Sequence, residues 1–157
     1  MEWNEEVVER VRMAMQDRAR NMGCMFRSIV RHSNRENAIK ITRDAITEYG
    51  NIRAMRESEN ITPDDWANEH YQMMGGVFNS KIISNDRFTE INMHYCPLLE
   101  EWKQMDFSKE DQDLLCDLAM ELDRNRAKQH DIPCDIVERL GKGDTFCRVV
   151  LWKKKKK

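Results

Sequence analysis

His94-Tyr95-Cys96-Pro97-Leu98-Leu99-Glu100-Glu101-Trp102 is the stretch on which the fold turns. Upstream of it, Thr89, Ile91, Met93 and Tyr95 alternate with polar residues, the period of a strand with one buried face. Downstream, Pro97 holds a backbone angle suited to a first helical position, and Leu98, Leu99 and Trp102 form a short apolar helical face. A strand therefore delivers Cys96 to a helix N-cap. There the unpaired amides and the helix dipole favour thiolate over thiol, which marks Cys96 as a candidate nucleophile or anion-contacting group. The competing reading is a small buried hydrophobe.

The same strand-to-helix switch recurs outward. Val77–Ile83, a turn at Ser84-Asn85-Asp86, and Phe88–Tyr95 read as one hairpin. Asp135–Leu140, a turn at Gly141-Lys142-Gly143-Asp144, and Thr145–Trp152 read as a second. The last strand, Phe146-Cys147-Arg148-Val149-Val150-Leu151-Trp152, is apolar but for Arg148, so it is placed mid-sheet with both faces covered. Between the hairpins Ser108 opens a helix that buries Leu115, Leu118, Ala119 and Leu122, with Asp111 at the box position.

The N-terminal half reads as helical. Asn4 caps a long helix over 4–32, stapled by Trp3 and Val8, whose apolar seam (Val8, Val11, Met15, Met22, Met25, Ile29) only Arg18 interrupts. Ser33-Asn34-Arg35-Glu36 opens a second helix with Ala38, Ala45, Ile46 and Tyr49 buried; Arg43, Arg53 and Arg56 lie on it, and one of them could clamp a carboxylate from a pocket wall. Thr62-Pro63 starts a third, stopped by Gly75-Gly76. His70 on that helix has no partner at metal-ligand spacing and reads as a surface or core histidine. The expected fold is α+β: N-terminal helices packed on an antiparallel sheet of about four strands, with short helices between. It forms a single domain over 1–152, helical over 1–76 and sheet-containing over 77–152, with a solvated lysine tail at 153–157.

Composition narrows the partners. A chain of 157 residues that is 40% hydrophobic can bury an ordinary core. Charged residues make up 34% but nearly cancel, to a net charge of -2, which argues against nucleic acid. No apolar run is long enough to span a bilayer, and the acidic start is unlike a secretory signal, so a cytoplasmic protein with no stable membrane association is expected. Five scattered cysteines read as thiols in a reducing compartment. Eleven methionines point to a deformable core or pocket. The seam of the first helix is longer than so small a domain readily covers, which predicts a homodimer or higher homo-oligomer.

Cys116 and Asp123 stand two turns apart on one flank of the Ser108 helix, where a helix commonly borders a cleft. Asp144 lies in the glycine turn and Cys147 starts the central strand. Either the three cysteines converge on one pocket or they are unrelated core residues.

The ordered set Cys96-Pro97-Leu98, Leu115-Cys116-Asp117 and Gly143-Asp144 with Cys147 resembles the 2-aminothiazoline-4-carboxylate hydrolase family, chiefly over the C-terminal half. The resemblance implies hydrolytic opening of a cyclic amidine-type thiazoline to an N-carbamoyl cysteine. Such a reaction needs water at the amidine carbon, a base, and help for the departing sulfur. Asp123 or Asp144 could be the base, His94 a proton carrier, and the Cys96 thiolate a nucleophile. Alternatively Cys96, Cys116 and Cys147, with His94 or an aspartate, could bind zinc and activate water. A small-molecule sensor or carrier with a cysteine-lined pocket, or a structural oligomer subunit, are the non-enzymatic alternatives.

Overall fold

A computed structural model describes residues 3–154. The elements in order are α1 (Glu5–His32), α2 (Arg35–Ala54), α3 (Pro63–Phe78), β1 (Ser80–Ser84), β2 (Phe88–Met93), α4 (Pro97–Gln104), α5 (Lys109–Ala119), α6 (Glu121–Gln129), β3 (Cys134–Glu138) and β4 (Cys147–Trp152), with a 3-10 turn at Leu140–Lys142 before β4. The sheet is antiparallel in the order β1-β2-β4-β3, so the two hairpins join along β2 and β4. This is the α+β architecture expected.

Local chemistry explains most helix starts. Asn4 Oδ1 accepts from the Val7 amide at 3.1 Å. Thr62 and Asp65 form a reciprocal capping box ahead of Pro63. Ser108 Oγ accepts from the Asp111 amide at 3.1 Å. Cys96 occupies the N-cap of α4 with Pro97 next. At α2 the cap is Asn34 rather than Ser33: Asn34 Oδ1 takes the Asn37 amide at 2.8 Å, while Ser33 Oγ accepts from the Asn37 side chain.

Several expectations are corrected. Gly75-Gly76 does not stop α3; the helix runs to Phe78 and ends at Asn79, in the left-handed conformation at φ 49°. The glycines serve close packing instead, since a Cβ on Gly76 would lie 2.6 Å from Trp3 Cγ. The buried stripe of α2 is Ala38, Thr42, Gly50 and Ala54, with Ala45 and Tyr49 exposed. These small side chains let α6 approach closely; a Cβ on Gly50 would sit 2.9 Å from the Leu122 carbonyl oxygen. The Ser108 helix divides at Met120 into α5 and α6.

The core is built as two clusters. Ala19 and Phe26 of α1, Leu98, Leu99 and Trp102 of α4, and Leu115 and Leu118 of α5 make the first, where the Trp102 indole donates to the Ala19 carbonyl at 2.9 Å. Trp66 of α3, Ala127 of α6 and the inward residues of the sheet (Ile91, Met93, Cys147, Val149, Leu151) make the second. Of the α1 seam, Met15, Met22 and Ile29 pack half-buried on the first cluster, and Met25 is exposed.

β4 is central, and burial of Val150 as well as Cys147, Val149 and Leu151 covers both of its faces over most of the strand, with the helices on the Val149 face. On the other, Arg148 reaches Glu138 at 2.8 Å and Glu90 at 3.9 Å, Trp152 meets Phe88 edge to face, and Ile83 and Val137 are half exposed. Lys153 does not begin a solvated tail. Its amide bonds the Arg87 carbonyl, and its ammonium donates to Asp64 Oδ2 at 2.7 Å and Ser84 Oγ at 2.9 Å. Lysines 155–157 lie outside the described residues. No described helix is long and apolar enough to cross a membrane.

Candidate functional site

A cavity of about 270 Å³ lies at the seam between the two clusters. Its floor is the inward face of β2 and β4, through Ile91, Met93, Cys147 and Val149; α1, α2, α3, α4 (through Leu98 and Trp102), α5 and α6 supply the walls. Met15, Met73, Met74, Met93 and Met120 line it, a soft wall of the kind the methionine content anticipates.

Cys96, Cys116, Cys147 and Asp123 all line this cavity. Strand register places the first and last: Met93 at the end of β2 pairs with Cys147 at the start of β4, and the chain leaving Met93 reaches Cys96 three residues on. Cys116 is brought in by the 3-10 turn. The Leu140 amide donates to Cys147 Sγ at 3.3 Å. The next residue, Gly141, presses so closely on α5 that a Cβ there would be 2.6 Å from Cys116 Sγ. Glycine at that position lets α5 and the turn close over the sulfur.

Burial works against the thiolate that the N-cap position suggests for Cys96. Burial pushes the Cys96 thiol up from its ordinary value, and the Leu99 and Leu98 amides oppose this without reversing it. Burial likewise pushes Cys116 up, reinforced by Cys96 and Cys147, and raises Cys147 to about 12. Desolvation costs a thiolate more than one helix dipole returns, which favours the S–H form of all three sulfurs.

Among the described residues no three His, Cys, Asp or Glu side chains are grouped as a metal ion would need, Cys96, Cys116 and Cys147 included. His94 and Asp144 are not in the cavity wall. His94 lies against Phe146 with ring centroids 5.1 Å apart and the planes tilted by 48°. Asp144 Oδ2 accepts from the Arg139 amide at 2.9 Å and so closes the turn before β4.

The polar part of the wall contains Asp123, Arg18, Arg53, Arg126, His70 and Tyr49. Burial pushes the Asp123 carboxyl up, against the pull of Arg126, Arg18 and Arg124. His70 is held neutral: burial, then Arg126, lowers its pKa to about 4, and its Nε2 lies 2.9 Å from Ser80 Oγ. Arg53 and Arg126 are pinned by acids, Arg126 to Glu57 at 2.6 Å and Glu69 at 3.0 Å, and Arg53 to Glu69 at 3.3 Å. Arg18 instead lies over the Tyr49 ring, 5.0 Å from its centroid.

Sequence reasoning missed His70, Tyr49 and Arg126 as wall residues, and it treated Arg18 only as a break in a seam. Arg18 did carry a signal. A cation on the buried stripe of an amphipathic helix has to meet something polar inside. The other three are set by how α3 and α6 pack on the sheet and α2 packs on α6, which no local pattern records.

The architecture and the cysteine-lined cavity can be set beside known proteins. No curated protein matches the chain. A family model does match, and it reaches well beyond the C-terminal half to which the motifs alone point, into α1. Matched over residues 12–151, helical and sheet halves alike, the chain belongs to the L-2-amino-thiazoline-4-carboxylic acid hydrolase family.

Proposed function

We propose that the cavity is the active site of a hydrolase that opens a 2-amino-thiazoline-type ring, with Asp123 as its acid–base group. The observation that carries this reading is the position of Asp123, a carboxyl raised by burial in the wall of the cavity that also gathers the three thiols. A carboxyl shifted up toward the working pH is a better proton shuttle than an ordinary one.

Asp123 takes a proton from water as the water oxygen bonds to the amidine carbon. It passes that proton to the ring nitrogen, which receives the C=N electron pair. On collapse it takes the remaining hydroxyl proton and gives it to sulfur as the C–S bond breaks. The products are a ureido group and a thiol, and no atom or electron is left over. Cys96, Cys116 and Cys147 do not attack. As neutral, polarisable groups they form a dry wall suited to a sulfur-containing ring.

The test is turnover of 2-amino-thiazoline-4-carboxylate, followed by mass spectrometry of the N-carbamoyl cysteine product. Asp123→Asn should lower kcat by about 100-fold or more, the size of an acid–base contribution, with circular dichroism unchanged. Cys96→Ser should keep measurable turnover, because no covalent step passes through it. A fully active Asp123→Asn variant would overturn the role given to Asp123. Binding of the compound without turnover by the unaltered protein would make it a carrier rather than an enzyme.

A further inference from the structure

We infer that Arg18 is the anchor for a carboxylate on the small molecule that occupies this cavity, and hence the residue that selects anionic over uncharged rings. The inference rests on the cavity being the ligand site proposed above and adds to it the group that orients the ligand.

Three observations support it. Arg18 interrupts the apolar seam of α1, between Met15 and Met22, both of which pack on the core. A half-buried cation on that face gives up part of its hydration, and an anion at its N–H groups makes good that loss. The three arginines of the wall also differ in what they already hold. Arg126 and Arg53 are pinned by Glu57 and Glu69, whereas Arg18 has no ion-pair partner and donates no hydrogen bond among the described residues. Its contact is with Tyr49, a residue 40% exposed, which puts the guanidinium where the cavity meets solvent. Stacking leaves the in-plane N–H fork of the guanidinium open, and that fork matches the two oxygens of a carboxylate.

Charge placement fits as well. Arg18 is near enough to Asp123 to pull on its acidity without pairing with it. A carboxylate held by Arg18 therefore sets the body of a small ring within range of Asp123, with the methionines and thiols around it. Lysine at this position would keep the charge but lose the fork, and glutamine would lose both.

The experiment compares two rings on three proteins: 2-amino-thiazoline-4-carboxylate and 2-amino-thiazoline lacking the carboxylate, with unaltered protein, Arg18→Lys and Arg18→Gln. Folding of each variant is checked by circular dichroism. The expected result is a preference of the unaltered protein for the carboxylate by about 10- to 100-fold in kcat/KM, the worth of one charge-assisted hydrogen-bonded contact, carried mainly by KM. That preference should collapse toward unity in Arg18→Gln and be partly restored in Arg18→Lys. A preference intact in Arg18→Gln overturns the inference and leaves the hydrolase reading standing. If no protein turns over either ring, calorimetric binding of the carboxylate decides: binding lost in Arg18→Gln sustains the anchor while the hydrolase reading fails. Binding that is absent throughout, or equal in all three proteins, overturns the anchor.

Discussion

Protonating His70 should unfold this protein sooner than protonating an ordinary surface histidine would. In the folded chain its pKa is lowered from 6.5 to about 4, by burial first and then by the Arg126 charge. Between those values the unfolded chain binds a proton that the folded chain refuses, so stability rises with pH there and falls as pH drops. The contribution is complete above pH 6.5 and lost as pH falls toward 4. From the gap between the two values, the loss by pH 4 is about 3 kcal/mol, a large part of the stability of a domain of this size. The perturbation is His70→Gln, which keeps a side-chain donor toward Ser80 but has no proton to gain. Urea unfolding at pH 7, 5.5 and 4, followed by tryptophan fluorescence, gives stability for each protein. Other titrating groups act on both, so the quantity to read is the difference between their slopes. The unaltered protein should lose about 3 kcal/mol more than His70→Gln from pH 7 to pH 4, chiefly below pH 6.5. Parallel curves, within about 0.5 kcal/mol, would refute the burial of His70 in the cavity wall.

Gly50→Ala should cost about 1–3 kcal/mol of stability, because the added methyl meets a backbone carbonyl of α6 that cannot swing aside; a urea midpoint at or above that of the unaltered protein would mean that α2 and α6 are not in close contact. Iodoacetamide near neutral pH, with peptide mapping, should modify exposed Cys24 ahead of Cys96, Cys116 and Cys147. Cys96 reacting first would restore the N-cap thiolate reading.

What could be read along the chain was whatever is settled within a turn or two of it. Asn4, Thr62 and Ser108 cap helices because their side-chain oxygens reach amides three residues ahead, a contact that needs no tertiary partner. Pro97 places Cys96 at an N-cap for the same local reason. Alternation along Thr89–Met93 and the apolar run of β4 were enough for the antiparallel sheet and the central place of its last strand. Even Ser33 missed by one residue only because its neighbour Asn34 competes for the same amides.

Tertiary structure alone decided whatever depends on what closes over a residue. The Cys96 thiol was expected to be acidic from its helix, yet desolvation against the core cluster that α1 and α5 help to build outweighs the dipole and turns the shift upward. Gly75 and Gly76 looked like a stop signal but were places for Trp3 to lie against α3, while Asn79 ended the helix. His94 and Asp144 have suitable chemistry at suitable spacing, and strand and turn geometry direct them to Phe146 and the Arg139 amide. Asp123, His70 and Arg18 come from three helices separated by long stretches of chain, and one wall holds them because α3 and α6 pack on the sheet while α1 packs on α3 and α4. Periodicity tells which side of a helix is buried. It does not tell which other helix that side will face, and the chemistry of a cavity is set by the facing pairs.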